Sequence, residues 1–491
     1  MRVSQRNLFS NFISEFDRVS SRLVELNQQA SSQKKVNKPS DDPIGMTRIL
    51  DYRDSIAALG QYKKNIDTAK GWLNLADETL TQVNNILIRL KELSEQAATG
   101  TLSRDQRQSL SYEARQLFSQ LIALSNTEYE GKSIFAGHKV NQDAFTETLW
   151  VTSSKDDNVD DYINSISGAS SQTILVQFLT TGTVGTDNID YRYSEDGGET
   201  WQTGSISAGS TTLTAGGVQV DFNSGYQVQA NSATDYNDTS GTWLWIRPSA
   251  KYLGDAEDNI NVDLYAQNTA LAAQAYGKFS QNVAVRIDDI SGGMVTYSYS
   301  LDGGNNWSTG HTTSDNRLLV PGGRIEVNDV ANLTVGDQLV IRPEMARLEV
   351  EISSSEKIQI NNIGKEVFGG IYNNKPVFNG AGKNLFETVG KLIGFLETNN
   401  QDGVQEALES INKSLNHISS QLASVGAREN RLNVADTVLS GLSINEKERL
   451  SKIEDADVAE LMTELTNQQI VYEAVLKSSS MIMRMNLVNY V

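Results

Sequence analysis

The chain has 491 residues, no cysteine, only three histidines (His138, His311 and His417), 38% hydrophobic residues and a formal net charge of −19. Without thiols it can build no disulfide, thiolate metal site or cysteine nucleophile, and the histidines share no metal-binding or triad spacing. The acidic balance argues against nucleic acid, whose phosphates need a basic face, and against anionic membranes.

Phe9, Phe12, Phe16, Val19, Leu23, Leu26 and Ala30 recur at alternating intervals of three and four. A period of 3.5 places them on one narrow stripe of a helix. Such a helix of about 22 residues is roughly 33 Å long, and it needs a partner to cover the stripe. The run Pro39-Ser40-Asp41-Asp42-Pro43 then reads as an inter-domain joint. Pro39 cannot continue a helix, any of the next three residues can cap the following one, and Pro43 suits its first turn. Ile49, Tyr52, Ile56 and Leu59, and after a slip near Gly60 the series from Ile66 to Leu90, predict a long second helix. Ser103 is placed to cap a third, with Leu110, Ala114, Leu117, Leu121 and Leu124 as its seam and Phe118 and Ile122 widening it.

Near residue 150 the helical seams vanish and short alternating runs such as Ile174–Phe178 and Gly217–Phe222 predict strands. Tyr191–Trp201 repeats as Tyr297–Trp307 at an offset of 106, and Ile246-Arg247-Pro248 and Ile341-Arg342-Pro343 close the units. Both copies hold a Ser-x-Asp-x-Gly turn ahead of a tryptophan: Asp196, Gly198 and Trp201, then Asp302, Gly304 and Trp307. They resemble the Asp-box hairpin, a staple in which Asp and Gly make the turn and Trp packs beneath it. The segment 151–346 carries 24 acidic and 9 basic residues, which suits an outward, solvated insert. Its paired carboxylates (Asp156-Asp157, Asp160-Asp161, Asp288-Asp289) read as surface.

Helical periodicity returns with Lys383–Leu396 and with Val404, Leu408, Ile411, Leu415, Ile418, Leu422 and Val425. Leu432, Ala435, Leu439 and Leu442 extend that seam, and Ser443 with Glu446 forms a capping box that predicts a new helix start. Val458, Leu461, Leu465, Tyr472, Val475 and Ile482 make a last stripe, with Gln468 and Ser479 filling its gaps. The terminal stripes pair most simply with each other, and their remaining apolar surface predicts self-association. The fold class expected is α+β: a long coiled coil and bundle built from both termini around a central all-β insert of tandem repeats. The domains are read as 1–40 with 444–491, 41–150 with 347–443, 151–265, and 280–346. No membrane-spanning run, cleavable signal sequence, phosphate loop or catalytic constellation is visible, so neither cofactor, metal nor enzyme activity is expected.

The stretch Asn37–Met46 resembles the N-terminal signature shared by flagellins and hook-associated proteins, and Gly426–Leu432 and Ile453–Glu460 are similar to their C-terminal signature. Pro39–Pro43 and Tyr129–Gly137 look most like the hook-associated protein 3 type within that superfamily. The resemblance implies terminal helices in the inner layer of an axial tube, ordered on assembly, long helices around them and the β insert outside. It implies a flagellar junction role, unfolded export through the flagellar type III apparatus, and partnership with further copies of itself, hook-associated protein 1, flagellin and an export chaperone. A flagellin-type filament subunit, or a glycan-binding adhesin with coiled-coil ends, is the alternative.

Overall fold

The structure is a computed structural model that describes residues 2–100, 102–153, 159–255, 259–277, 279, 282–344, 346–378 and 382–488. The helices are α1 (Arg2–Ser32), α2 (Pro43–Ala97), α3 (Arg104–Ser125), the short α4 (Val159–Tyr162) and α5 (Gly364–Phe368), α6 (Leu385–Glu397), α7 (Gln401–Glu454) and α8 (Val458–Val488). The chain forms two compact units, one of residues 1–68, 351–357 and 431–491, the other of 69–350 and 358–430. The division falls inside the long helices α2 and α7, not at the proline joint. Ser443 and Glu446 start no new helix, because α7 runs unbroken through them to Glu454. Both residues suit a helix interior as well as a cap, and what stops the chain is Asp455–Asp457.

In the second unit, Trp72, Leu73, Leu80, Val83, Leu87 and Leu90 of α2 are buried. Ser103 caps α3 through a capping box with Gln106. The buried stripe of α3 is Arg107, Ser111, Ala114, Phe118, Leu121 and Ser125, so Phe118 takes the centre and Leu117 its flank. The reason lies in α6, which is buried nearly all round and packs on α3 and on the strand Trp243–Tyr252. Phe118 meets Phe386 edge-on, with centroids 5.9 Å apart.

That strand anchors the first β repeat. It pairs antiparallel with Phe145–Ser153 and Ile174–Phe178 and parallel with Ile371–Tyr372. Ile174–Phe178 continues to Ile189–Ser194 and Gln202–Ile206, and a second sheet orders Ile163–Ser167, Val218–Phe222 and Thr212–Ala215. The other repeat has the same connections. Gln338–Glu344 pairs with Asn259–Tyr265 and Val283–Ser291, followed by Met294–Ser300 and Ser308–Thr313, while Ala273–Gly277, Gly323–Val327 and Arg317–Val320 form its small sheet. This corrects both repeat boundaries. Phe145–Ser153 opens the first repeat, and Asn259–Tyr265 opens the second rather than closing the first. Both opening strands fall outside the matching hairpin sequence, which is why the repeat motif alone does not mark them. Each repeat has its own core, around Val176, Ile189 and Leu244 and around Val285, Val295 and Leu339.

Candidate assembly surface

Within the first unit α1 and α8 lie antiparallel. Leu26, Leu461 and Leu465 form the buried centre with Leu23, Ala30 and Ala456 around it. Val19 is buried, and its carbonyl accepts from Gln468 Nε2 at 3.1 Å. Phe16 packs on Tyr472 at 5.6 Å between centroids and on Phe12 at 6.3 Å. Phe12, Phe16, Leu23, Tyr472 and Val475 are half-buried, as are the fillers Gln468 and Ser479. Two seam residues are not covered: Phe9 is 50% exposed and Val458, the first residue of α8, 52%. The side chain of Ile482 lies outside the described residues.

The pair leaves further apolar surface open. Ile13 and Val24 on α1 and Met462, Ile470, Val471, Leu476 and Met481 on α8 are exposed. Ile470 and Met481, at 100° per residue, fall on the side of α8 opposite Leu461 and Leu465. A helix apolar on more than one face asks for more than one neighbour. Moving such a half-exposed side chain into a contact contributes on the order of 1 kcal/mol.

The joint rigidifies the entry to α2. Asp41 Oδ2 accepts the N–H groups of Asn37 at 3.0 Å and Lys38 at 2.9 Å. These bonds hold the Asp41 carboxyl below the usual range. Asp42 is the residue that caps α2, through Gly45 N–H at 2.9 Å, with Pro43 opening the helix. Ser40 is exposed and lies 3.5 Å from Asp41 Oδ1. Sequence reasoning missed the joint's counterpart, Glu454. Its carboxylate is 4% exposed and holds Lys34 and Arg53. Burial alone pushes Glu454 up, and the bonds from Lys34 and Arg53 outweigh it and pull it down. Backbone bonds from Lys35 N–H to the Glu454 carbonyl at 2.7 Å and from Ala456 N–H to the Gln33 carbonyl at 3.0 Å stitch the two helix breaks together. The only sequence signal was its place between Ile453 and Asp455 in the C-terminal signature.

The tryptophan hairpins are turn staples in the structure. Asp196 accepts from Ser194, Glu199 and Thr200, and Trp201 Nε1 donates to the Gly198 carbonyl at 3.1 Å. Burial pushes the Asp196 carboxyl up, but Thr200 and Ser194 bring it down to about 2. Asp302 is held at about 2 by the Asn306 N–H and side-chain amide and by Ser300, and Trp307 Nε1 donates to the Gly304 carbonyl at 2.9 Å. An arginine covers each indole: Arg192 over Trp201 at 5.1 Å and Arg286 over Trp307 at 4.7 Å. These rings are therefore not bare platforms for a sugar. Two carboxylates read as surface are structural instead. Asp160 accepts Trp150 Nε1 at 2.8 Å, and Asp288 holds Arg286 and Ser298. Asp156 and Asp157 lie outside the described residues. Among the described residues no group of three His, Asp or Glu could hold a metal ion, and no helix is long and apolar enough to cross a membrane.

Residues 3–140 match the family model of the bacterial flagellin N-terminal helical region, and residues 408–491 that of the bacterial flagellin C-terminal helical region. Both ends of the chain are thus similar to the helical regions of bacterial flagellins. Flagellar hook-associated protein 3 of Salmonella typhimurium is 30% identical over 148 residues, 30% of this chain and 47% of that protein. The match thus spans about half the length of that relative. Flagellin of Salmonella muenchen is 23% identical over 489 residues, covering 91% of this chain and 90% of its own. Among solved structures, FlgL of Xanthomonas campestris aligns over 82% of this chain and 99% of its own at 14% identity and a TM-score of 0.32. Hook-associated protein 3 of Legionella pneumophila aligns over 82% and 98% at 16% identity and a TM-score of 0.33. The α1–α8 pair joins the two matched ends. The Asp41–Asp42 joint lies in the first and Glu454 in the second.

Proposed function

We propose that this protein is a structural subunit of the bacterial flagellum, joining hook to filament by helical self-assembly of its terminal helices. The observation that carries the reading is α8, which buries Leu461 and Leu465 against α1 yet exposes Ile470 and Met481 on its far side. The similarity of both ends to flagellin helical regions and the match to hook-associated protein 3 support it. The partners are then neighbouring copies, hook-associated protein 1 on the hook side and flagellin on the filament side, with an export chaperone on the C-terminal helix. Export runs through the flagellar type III apparatus, and the work of the protein is mechanical rather than catalytic.

Hook preparations lacking a junction test this directly. Addition of the purified chain is expected to let flagellin grow filaments from hook ends, counted by electron microscopy. Failure to seed growth counts against a junction role. A second reading, a filament subunit, is favoured by the flagellin match over 91% of this chain. Long filaments formed by the pure chain alone would select it.

A further inference from the structure

Because the repeats share one strand order, each paired strand position in the first has a counterpart in the second. Gln177 faces Arg192 across neighbouring strands in the first, and Arg286 faces Ser298 in the second. The arginine has changed strands, yet in both repeats it lies over the hairpin tryptophan. What differs is what else that arginine touches.

In the first repeat, Arg192 is buried under the loop 223–242. Tyr236 stacks on its guanidinium at 4.5 Å. Arg192 Nη1 donates to the Ala233 carbonyl at 3.2 Å and Nη2 to the Asp235 carbonyl at 2.6 Å. Gln177 Nε2 adds bonds to the carbonyls of Tyr236 and Asp238. Tyr236 also meets Trp201 directly, with ring centroids 6.0 Å apart, so the guanidinium and the two rings form a three-way cluster, and the loop carbonyls together with Gln177 Oε1 satisfy the cation. In the second repeat the corresponding loop is 328–337, too short to supply this layer. It folds instead into a turn fastened by Asp337 to Thr334. Arg286 keeps the tryptophan and one bond, Nε to Asp288 Oδ1 at 2.9 Å, and 39% of its side chain is exposed. Its Nη1 and Nη2 atoms donate to no described residue.

We propose that Arg286 over Trp307 is a binding site for a tyrosine-bearing loop of a second polypeptide, whose ring stacks on the guanidinium while adjacent backbone carbonyls accept from Nη1 and Nη2. The first repeat displays this occupant within the same chain. A stacked cation–aromatic contact is favourable because the ring's negative face meets the charge, and the planar guanidinium presents its remaining donors in a fixed fork. The second repeat lacks the tyrosine and the carbonyls, and its arginine stands where the first repeat has Gln177.

The probe is a peptide of residues 231–240, which carries Tyr236 and the carbonyls of Ala233 and Asp235. It is titrated into the full chain labelled on tryptophan indole and arginine Nε nitrogens and followed by NMR. The expected result is a saturable shift of the Trp307 and Arg286 signals, with Trp201 unmoved because its site is filled. Replacing the peptide's tyrosine by alanine, or Arg286→Gln in the chain, is expected to weaken binding about tenfold. The peptide variant keeps the test valid should Arg286→Gln disturb the repeat, which the remaining indole signals report. No shift up to millimolar peptide, a shift insensitive to loss of the tyrosine, or binding retained in a folded Arg286→Gln chain overturns the proposal.

Discussion

Glu454 shows what one residue does when its partners come from distant sequence. A carboxylate 4% exposed is tolerable only because Lys34 and Arg53 reach it. No local pattern pairs them, so the residue was invisible as a hub, whereas Asp42 and Ser103 were legible as cap candidates because a cap acts within one turn. His417 carries a testable consequence at the same scale. Burial lowers its pKa below the ordinary 6.5, although its Nε2–H lies 3.1 Å from the carbonyls of Glu366 and Val367. The unfolded chain therefore takes up the proton first as pH falls. Its contribution is intact above the unfolded value, about 6.5, and declines as pH drops below it. Thermal midpoints at pH 7.5 and 5.5 are expected to differ less in His417→Gln, which keeps an N–H donor without titrating. An equal drop in both chains would dismiss the histidine as its source.

At the level of elements, a period-3.5 seam is legible where one helix packs on another, and Val19, Leu26, Leu461 and Leu465 are buried there. Helix α6 is read as helical from its sequence over Lys383–Leu396, but it is buried nearly all round, and without a wet face its pattern does not say which side meets the sheet. Its glycines show how closely it seats. A Cβ at Gly390 would fall on the Pro248 carbonyl and within 3.0 Å of Arg247 Nη1, while one at Gly394 would meet Trp245 at an ordinary 3.6 Å. Arg247 is wholly buried there and paired with Glu387. Gly390→Ala is therefore expected to cost about 2–3 kcal/mol through overpacking. Gly394→Ala, one turn on, is expected to be neutral or to gain up to ~1 kcal/mol from helix propensity. Denaturant unfolding monitored by tryptophan fluorescence separates them. Equal effects would mean that α6 is free to shift off the strand.

For the whole molecule, the order helices, β insert, helices was legible because periodicity changes at each border, while the repeat boundaries needed the strand pairing. The covered and open sides of α8 can be separated by mutation. Leu465 is buried against α1, so Leu465→Asp places a charge in the pair and is expected to unfold the terminal helices in the free chain, at a cost of roughly 3 kcal/mol or more. Ile470 and Met481 are 61% and 68% exposed, so Ile470→Asp with Met481→Asp should leave the free chain's helicity and melting unchanged. If the open side is where neighbouring copies meet, both variants fail to support filament growth, but only the first loses helix as a monomer. Each β repeat has its own core, so tryptophan fluorescence from the insert should remain native in both. Normal filament growth with the Ile470/Met481 double variant would confine the function of α8 to its partnership with α1. A loss of monomer helicity in that variant would mean that its outer face is already engaged within a single chain.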